Sequence, residues 1–432
     1  MDNFPVCIDF VIRKSPDPKV FIIHYQLSIA SKLTINFATM NLRQLFLNHV
    51  GQTSAAPLCL NIVKAEGSKM WDADGKEYID LIGGISVCNI GHRHPKVIEA
   101  IKKQADEYLH IMVYGEFVEN PQVQYAKLIT EHLPSSLNAV FYTSSGAEAT
   151  EGAMKLAKRY TGRTQIISFK NSYHGSTQGA LSIMGSEYWQ QAFRPLLPDT
   201  LQLNYNNFDD LQNITERTAC VVAETIQAEA GVIAPKDGWL KALRQRCTAT
   251  GTLLVLDEIQ CGFGRNGTLW AFEQFDVVPD IVLLGKALGG GMPLGAFVSD
   301  KKIMDSFTSN PVLGHITTFG GHPVSCAAGL AGMQVLLEEK MMAAIPAKES
   351  LFKSLLQHKA IKNINSHGLM MAVGFDSFET NKKVIDLLIE QGVFTDWFLF
   401  AANALRIVPP LNISEQDIRK SCNTLLQILD NL

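Results

Sequence analysis

No two of the eight cysteines stand in a Cys-x-x-Cys pair. Cys7, Cys59, Cys88, Cys220, Cys247, Cys261, Cys326 and Cys422 are scattered, and several sit inside apolar runs, as Cys220 does before Val221-Val222-Ala223. That pattern fits reduced core thiols in a cytoplasmic protein and gives no disulfide framework. Basic residues gather in no dense stripe and the net charge is -4, so nothing electrostatic argues for nucleic acid. No apolar run approaches the roughly twenty residues of a membrane span. No basic start leads into an apolar stretch with a small-residue cleavage site. Internal repeats, low-complexity tracts and long linkers are missing too.

What remains is 432 residues, 47% hydrophobic and 19% charged, the size and composition of a two-domain globular enzyme. The first 39 residues differ: they are rich in Ile, Val and Phe, interrupted by Arg13, Lys14, Asp17 and Lys19. From Met40 the pattern predicts an amphipathic helix with Leu42, Leu45, Phe46 and Val50 on one face. The expectation is that translation starts at Met40 and that residues 1–39 are an extension. The rival is an N-terminal arm packed on a partner subunit. The expected division is then 40–95 as the N-terminal part of a small domain, 96–326 as a large domain, and 327–432 as the rest of the small one.

Lys69 to Leu81 reads as a hairpin around Asp74-Gly75. A helix starts at Pro95, with Val97, Ile98, Ile101, Ala105 and Tyr108 as its apolar stripe. Strand-length apolar runs then alternate with amphipathic helices: Ala139-Val-Phe-Tyr, Gln165-Ile-Ile-Ser-Phe, Ala219-Cys-Val-Val-Ala, Leu253-Leu-Val-Leu and Ile281-Val-Leu-Leu. This alternation predicts an α/β fold, with a doubly wound, mainly parallel sheet in the large domain. Beyond Cys326 a long helix through Val335, a strand at Leu369-Met-Met-Ala-Val and two helices flanking Leu405-Arg-Ile-Val-Pro-Pro suggest a smaller α+β domain.

Two apolar runs end in charge: Thr252-Leu-Leu-Val-Leu-Asp257 and Ile281-Val-Leu-Leu-Gly-Lys286. A lone Lys and a lone Asp at buried strand ends are costly to desolvate, and a ligand needing both would justify them. Pyridoxal 5'-phosphate is such a ligand: its aldehyde takes an amine and its ring nitrogen takes a carboxylate. Ser145 and Gly146 open a helix after a strand and would leave N–H groups free for a phosphate, although an ordinary Ser cap with a Gly turn has the same pattern. Ala149, Ala153, Met154, Ala157 and Tyr160 form that helix's expected buried face. Tyr173-His174-Gly175 follows a strand, where an aromatic ring can stack on a heterocycle or simply pack in the core. Glu224 and Glu229 close another strand. Polar groups thus converge at the carboxyl ends of successive strands, where open parallel sheets bind ligands. His92-Arg-His94 lacks a third ligand and reads as a loop and helix cap, so no metal is expected. Gly289-Gly-Gly-Met-Pro-Leu-Gly295 lacks the dinucleotide spacing.

The spaced set Ser145-Gly-Ala-Glu-Ala, Tyr173-His-Gly, Asp257-Glu-Ile-Gln260, Lys286 and Thr318-Phe-Gly-Gly-His-Pro resembles the class III pyridoxal-phosphate aminotransferases. The likeness runs from about Met40 to the C-terminus. That family includes ornithine, acetylornithine and 4-aminobutyrate aminotransferases. The resemblance implies the fold type I of pyridoxal-phosphate-dependent transferases and a homodimer with shared active sites. Lys286 would form the Schiff base and shuttle a proton, and Asp257 would keep the ring nitrogen protonated. Gln260 would meet the phenolic oxygen, while Tyr173 and Ile259 would flank the ring. Ser145, Gly146 and Ala147 would seat the phosphate with Thr318 from a second subunit, and His174 and Glu224 would complete the cofactor's surroundings. Arg406 would grip a substrate carboxylate, with Glu229 masking it in turn; a plain interdomain ion pair is the bland reading of Arg406.

Two positions depart from the resemblance in ways that bear on the donor. Family members usually carry Arg after the aromatic-His-Gly motif to bind the donor's distal carboxylate, and here Ser176 stands there. Ile85 resembles the apolar residue of 4-aminobutyrate enzymes rather than the Tyr of ornithine enzymes. His322 replaces a commoner Asn. The expected activity is transfer of an amino group from an amine or an amino acid, ω-amino acids included, to a 2-oxo acid, 2-oxoglutarate above all. An aminomutase, racemase or decarboxylase on the same fold is the alternative, and a scaffold without catalysis a third reading.

Overall fold

The computed structural model describes residues 41–432, so the expectation about residues 1–39 lies outside the described part. The described chain divides into two units, with the boundary between Ile62 and Val63. In the first, the predicted helix spans Leu42–His49, with Asn41 and Gln44 forming a reciprocal capping box. Val50, expected on its apolar face, is instead the extended C-cap.

Fourteen strands are described. A four-stranded sheet contains β1 (Ile62–Glu66), β2 (Lys69–Asp72), β3 (Glu77–Asp80) and β13 (Val393–Phe394) in that spatial order. The pair β2–β3 is the predicted hairpin. A seven-stranded sheet is built from β4 (Ala139–Thr143), β5 (Gln165–Phe169), β6 (Thr200–Leu203), β7 (Thr218–Glu224), β8 (Leu253–Asp257), β9 (Ile281–Leu284) and β10 (Gly295–Ser299). Its order is β4-β10-β9-β8-β7-β5-β6, and β10 alone runs antiparallel to its neighbours. A three-stranded sheet holds β11 (Asn363–Ser366), β12 (Met371–Gly374) and β14 (Ala404–Ile407). The predicted α/β architecture with a large, mainly parallel sheet is what the chain adopts.

Every residue of β7, β8 and β9 is buried, which explains why these strands read as continuous apolar runs rather than alternating ones. The helix Gly146–Thr161 lies on the sheet through Ala149, Ala153, Met154, Leu156 and Ala157, in a core shared with Val222, Val255, Leu283 and Phe297. A Cβ at Gly152 would sit 2.3 Å from Phe297 Cε1, so glycine is required there. Tyr160, expected on this buried face, is half exposed, because the helix's last turn borders an open groove with Arg244 and Lys302. In the helix Pro95–Glu107, Gln104 is buried in place of the expected Ala105, and its amide donates to the Tyr108 carbonyl at 3.1 Å. The long helix expected through Val335 starts at Pro323 and runs unbroken to Glu338, and the strand expected from Leu369 begins at Met371. Among the described residues no helix is long and apolar enough to cross a membrane.

Candidate active site

The carboxyl ends of β7, β8 and β9 open into a cavity of about 420 Å³. Gly146, Ala147, Tyr173, His174, Ser176, Glu224, Ile259, Gln260, Asp257 and Lys286, all singled out from the sequence, line it. Gly175 of the same motif lines it too, and Thr177, Ile226 and Cys261, which were not anticipated as site residues, line it as well. Ile85, Thr318, Glu229 and Arg406 are not part of its wall.

Lys286 follows β9 on a left-handed backbone (φ +48°), a conformation costing a side-chain-bearing residue on the order of 1 kcal/mol or more. Gly285 before it comes close to the opposite wall, where a Cβ would lie 3.4 Å from the Gly146 Cα. The Lys286 amine donates to Gln260 Oε1 at 2.6 Å. Burial pushes its pKa below the usual lysine value, against the pull of Glu229 and Asp257.

Asp257 ends β8. Its Oδ1 accepts the Ile259 N–H at 2.9 Å and its Oδ2 lies 2.7 Å from His174 Nδ1. The carboxylate is therefore fixed from two sides. His174, expected to contact the cofactor, thus also orients Asp257. Glu224, one strand over, accepts the N–H groups of Tyr173 at 3.0 Å and Ala228 at 2.8 Å. Burial raises Glu224 to about 7, partly countered by His174. Glu258, behind the wall, is also raised to about 7 by burial, although Thr225 Oγ1 and the N–H groups of Ala271 and Phe272 all donate to it.

On the other wall, Ser145 caps the helix: its hydroxyl accepts the Glu148 N–H at 3.2 Å. Glu148 in turn accepts the Ser144 N–H at 2.8 Å. Gly146 and Ala147, the first helical residues, keep N–H groups without intrahelical partners. A Cβ on Gly146 would come within 2.9 Å of Ile259 Cδ1, so this cradle needs the glycine. Tyr173 OH and Ser176 Oγ are 3.1 Å apart at the exposed mouth.

Arg406 lies on β14 with Glu229 across from it, joined by two bonds of 2.7 and 2.9 Å. Glu229 stands five residues past the end of β7, rather than at the strand end, in a loop bridged by Gln227 and Ile233. Burial opposes its ionisation, but Arg406 outweighs that and holds its pKa below the usual range. Ile85 (φ +61°) and Thr318 are exposed. His322, for which the sequence offered no account, precedes the helix Pro323–Glu338 and stacks on His110, with centroids 5.4 Å apart. His92 pairs with Asp80 at 2.7 Å and His94 with Glu339 at 3.2 Å.

A family model described as aminotransferase class-III matches residues 50–429. The chain belongs to the class III aminotransferases. Among its relatives, the acetylornithine aminotransferase of Methanopyrus kandleri is 38% identical over 386 residues, covering 88% of this chain and 96% of the relative. The ornithine aminotransferase of Toxoplasma gondii superposes with a TM-score of 0.84 at 28% identity, over 93% of this chain and 99% of that one. An adenosylmethionine-8-amino-7-oxononanoate aminotransferase from Methanocaldococcus jannaschii gives 0.83 at 29% identity, over 90% and 98%. This chain is therefore a pyridoxal-phosphate-dependent transaminase of fold type I.

The residues present fit that cofactor. A desolvated amine, a doubly anchored carboxylate and a glycine-lined helix N-terminus face one cavity. Two buried polar atoms there, Gln260 Nε2 and His174 Nε2, lack protein partners, as groups reserved for a ligand do.

Proposed function

We propose that this class III aminotransferase moves an amino group from amines or ω-amino acids with a neutral or cationic tail to 2-oxoglutarate, as a cytoplasmic homodimer. The observation that carries the donor preference is Ser176. Among the described residues lining the cavity Lys286 is the one cation, and the position after Tyr173-His174-Gly175 offers a hydroxyl where a distal carboxylate would need a guanidinium. The relatives' names cover unlike donors, so the family by itself does not choose one.

When bound, pyridoxal phosphate supplies an aldehyde for the amine and a ring that takes up the electron pair released at the substrate carbon. The chain does the rest. Gly146 and Ala147 would bind the phosphate through backbone N–H groups at the positive end of their helix. Tyr173 and Ile259 would hold the ring between them, and Gln260 would bond its oxygen through the free Nε2. Asp257 would keep a proton on the ring nitrogen, and its bonds to His174 and Ile259 prevent the carboxylate from turning away. Lys286, whose lowered pKa leaves more of it as free amine, would take the proton from the substrate carbon and return it. Arg406 would bind the carboxylate of the 2-oxo acid once Glu229 yields. Thr318, in a stretch of chain where Val312, Leu313, Ile316 and Phe319 are also exposed, would complete the phosphate site of a second subunit; exposed apolar side chains gathered in one segment support an interaction face there.

A donor screen in the half-reaction tests this reading, following the visible absorbance of the holoenzyme as each amine is added. Rapid conversion by donors with neutral or cationic tails, and slow conversion by 4-aminobutyrate, is the expected result. Preference for 4-aminobutyrate would overturn the assignment of Ser176. Stoichiometric formation of glutamate from 2-oxoglutarate separates transamination from an aminomutase, racemase or decarboxylase.

A further inference from the structure

Arg406 has a second carboxylate beside it. Its Nε lies 2.9 Å from Asp396 Oδ1, while Glu229 occupies Nη1 and Nη2 and the Trp397 carbonyl accepts from Nη2 at 2.7 Å. The guanidinium also packs 4.5 Å from the centre of the Phe398 ring. Asp396 is tied to Arg406 through the backbone as well: the Arg406 N–H donates to the Asp396 carbonyl at 3.0 Å, and Thr395 Oγ1 donates to the Arg406 carbonyl at 2.6 Å. Glu229 belongs to a different part of the chain, and its other side-chain contact is the Leu399 N–H at 3.1 Å. Glu229 is also tied by its carbonyl, which accepts the Phe400 N–H at 3.0 Å, but its carboxylate reaches Arg406 from the loop after β7, whereas Asp396 pairs directly with the arginine's own backbone.

We propose that Asp396 is a positioning residue for carboxylate recognition: it holds Arg406 from the Nε side so that Nη1 and Nη2 can pass from Glu229 to the carboxylate of a substrate. The inference rests on the reading of Arg406 as the carboxylate site. The negative charge of Asp396 repels Glu229 and an incoming carboxylate alike, so to first order it cancels in their exchange. Orientation does not cancel. A bidentate pair needs the guanidinium plane held while its partner changes, and a charge on Nε supplies that hold. The contact is one of charge more than of alignment, since neither Arg406 Nε nor Asp396 Oδ1 makes a well-directed hydrogen bond.

The same geometry makes the hold dependent on pH. Three charged groups face Asp396: Arg406, Glu229 and, farther off, Asp80. Burial raises Asp396 to about 6, with Arg406 pulling it down and Glu229 pushing it up. Below that value it takes a proton and the charge on Nε is lost, so carboxylate binding weakens as pH falls through 6.

The test is calorimetric binding of glutarate, the 2-oxoglutarate skeleton without its reactive carbonyl, to the holoenzyme between pH 5.5 and 8. Arg406→Gln should weaken binding by more than tenfold. Asp396→Asn should weaken it about fivefold at pH 7.5, since 30% of the Asp396 side chain stays solvent-accessible and water screens the pair. Relative to Asp396→Asn, the wild type should lose its advantage as pH drops through 6; ionisation of glutarate itself is common to both proteins and divides out. Asp396→Glu should keep the pH step, and kcat at saturating substrate should stay within about twofold for either Asp396 variant. Undiminished binding by Arg406→Gln would sink the reading of Arg406. Weakened binding by Arg406→Gln together with wild-type or tighter binding by Asp396→Asn would sink the role of Asp396 alone.

Discussion

The floor of the cavity and its rim are built on different principles. Glu224 and Asp257 end two adjacent, fully buried strands and Lys286 follows the next one by two residues; neighbouring N–H groups or side chains fix each in place. At the mouth, Ser176 sits on an exposed loop; Thr318 and Ile85, outside the cavity wall, are exposed as well, Ile85 on a left-handed backbone. Rigid strands suit chemistry that tolerates little displacement. Loops can change residue without disturbing the core, which is how one floor serves many donors.

The sharpest way to break this contrast is at the floor. Lys286→Ala should abolish turnover while the protein stays folded, since the side chain ends in the cavity and carries no core packing. Loss of borohydride-trappable cofactor label checks it, and label that persists would mean another lysine holds the cofactor. Next in size, Asp257→Asn should retain cofactor but lower kcat by several orders of magnitude, because an amide cannot stabilise a protonated ring nitrogen. Single-turnover rates near normal would reduce Asp257 to a strand cap.

A third prediction concerns stability. Glu258 is raised from 4.5 to about 7 by burial. An acid that holds its proton more tightly folded than unfolded adds stability that is complete below 4.5 and is lost as pH rises through 7. Glu258 should therefore cost on the order of 3 kcal/mol between those limits. Glu258→Gln should flatten the fall of denaturation midpoint with pH over that window; an unchanged slope would place the titration elsewhere. At the rim the effects shrink. Ser176→Arg should lower KM for 4-aminobutyrate by about tenfold, a gain of about 1.4 kcal/mol. A rise in KM would show that the mouth has no room for the longer side chain.

The same division decided what the sequence disclosed. A charged residue ending an apolar strand has few innocent explanations, so Asp257 and Lys286 were readable, and the strand–helix rhythm carried the sheet. The contact between His174 and Asp257 joins residues 83 apart and leaves no local signature. Asp396 is a lone charge in the apolar run Val393-Phe-Thr-Asp-Trp-Phe-Leu-Phe, with nothing local to name its partner, and the backbone pairing of its segment with β14 brings it to Arg406. Tyr160 and Ala105 fit the helical period yet stand exposed, because periodicity says which face is apolar and not how far along the helix its neighbours extend.

Strand β10 has a consequence for how the protein is made. Among the described residues it is the only neighbour of β4, pairing Gly295 with Thr143. The strand that launches the Gly146 helix therefore emerges from the ribosome long before its sheet partner exists. At about 5–20 residues per second, some 150 intervening residues take on the order of 10–30 s. Over that interval the helix can already settle on Ile166, Val222, Val255 and Leu283, but the edge of β4 stays unpaired, so the strand that leads into the phosphate cradle is among the last parts of the sheet to be completed.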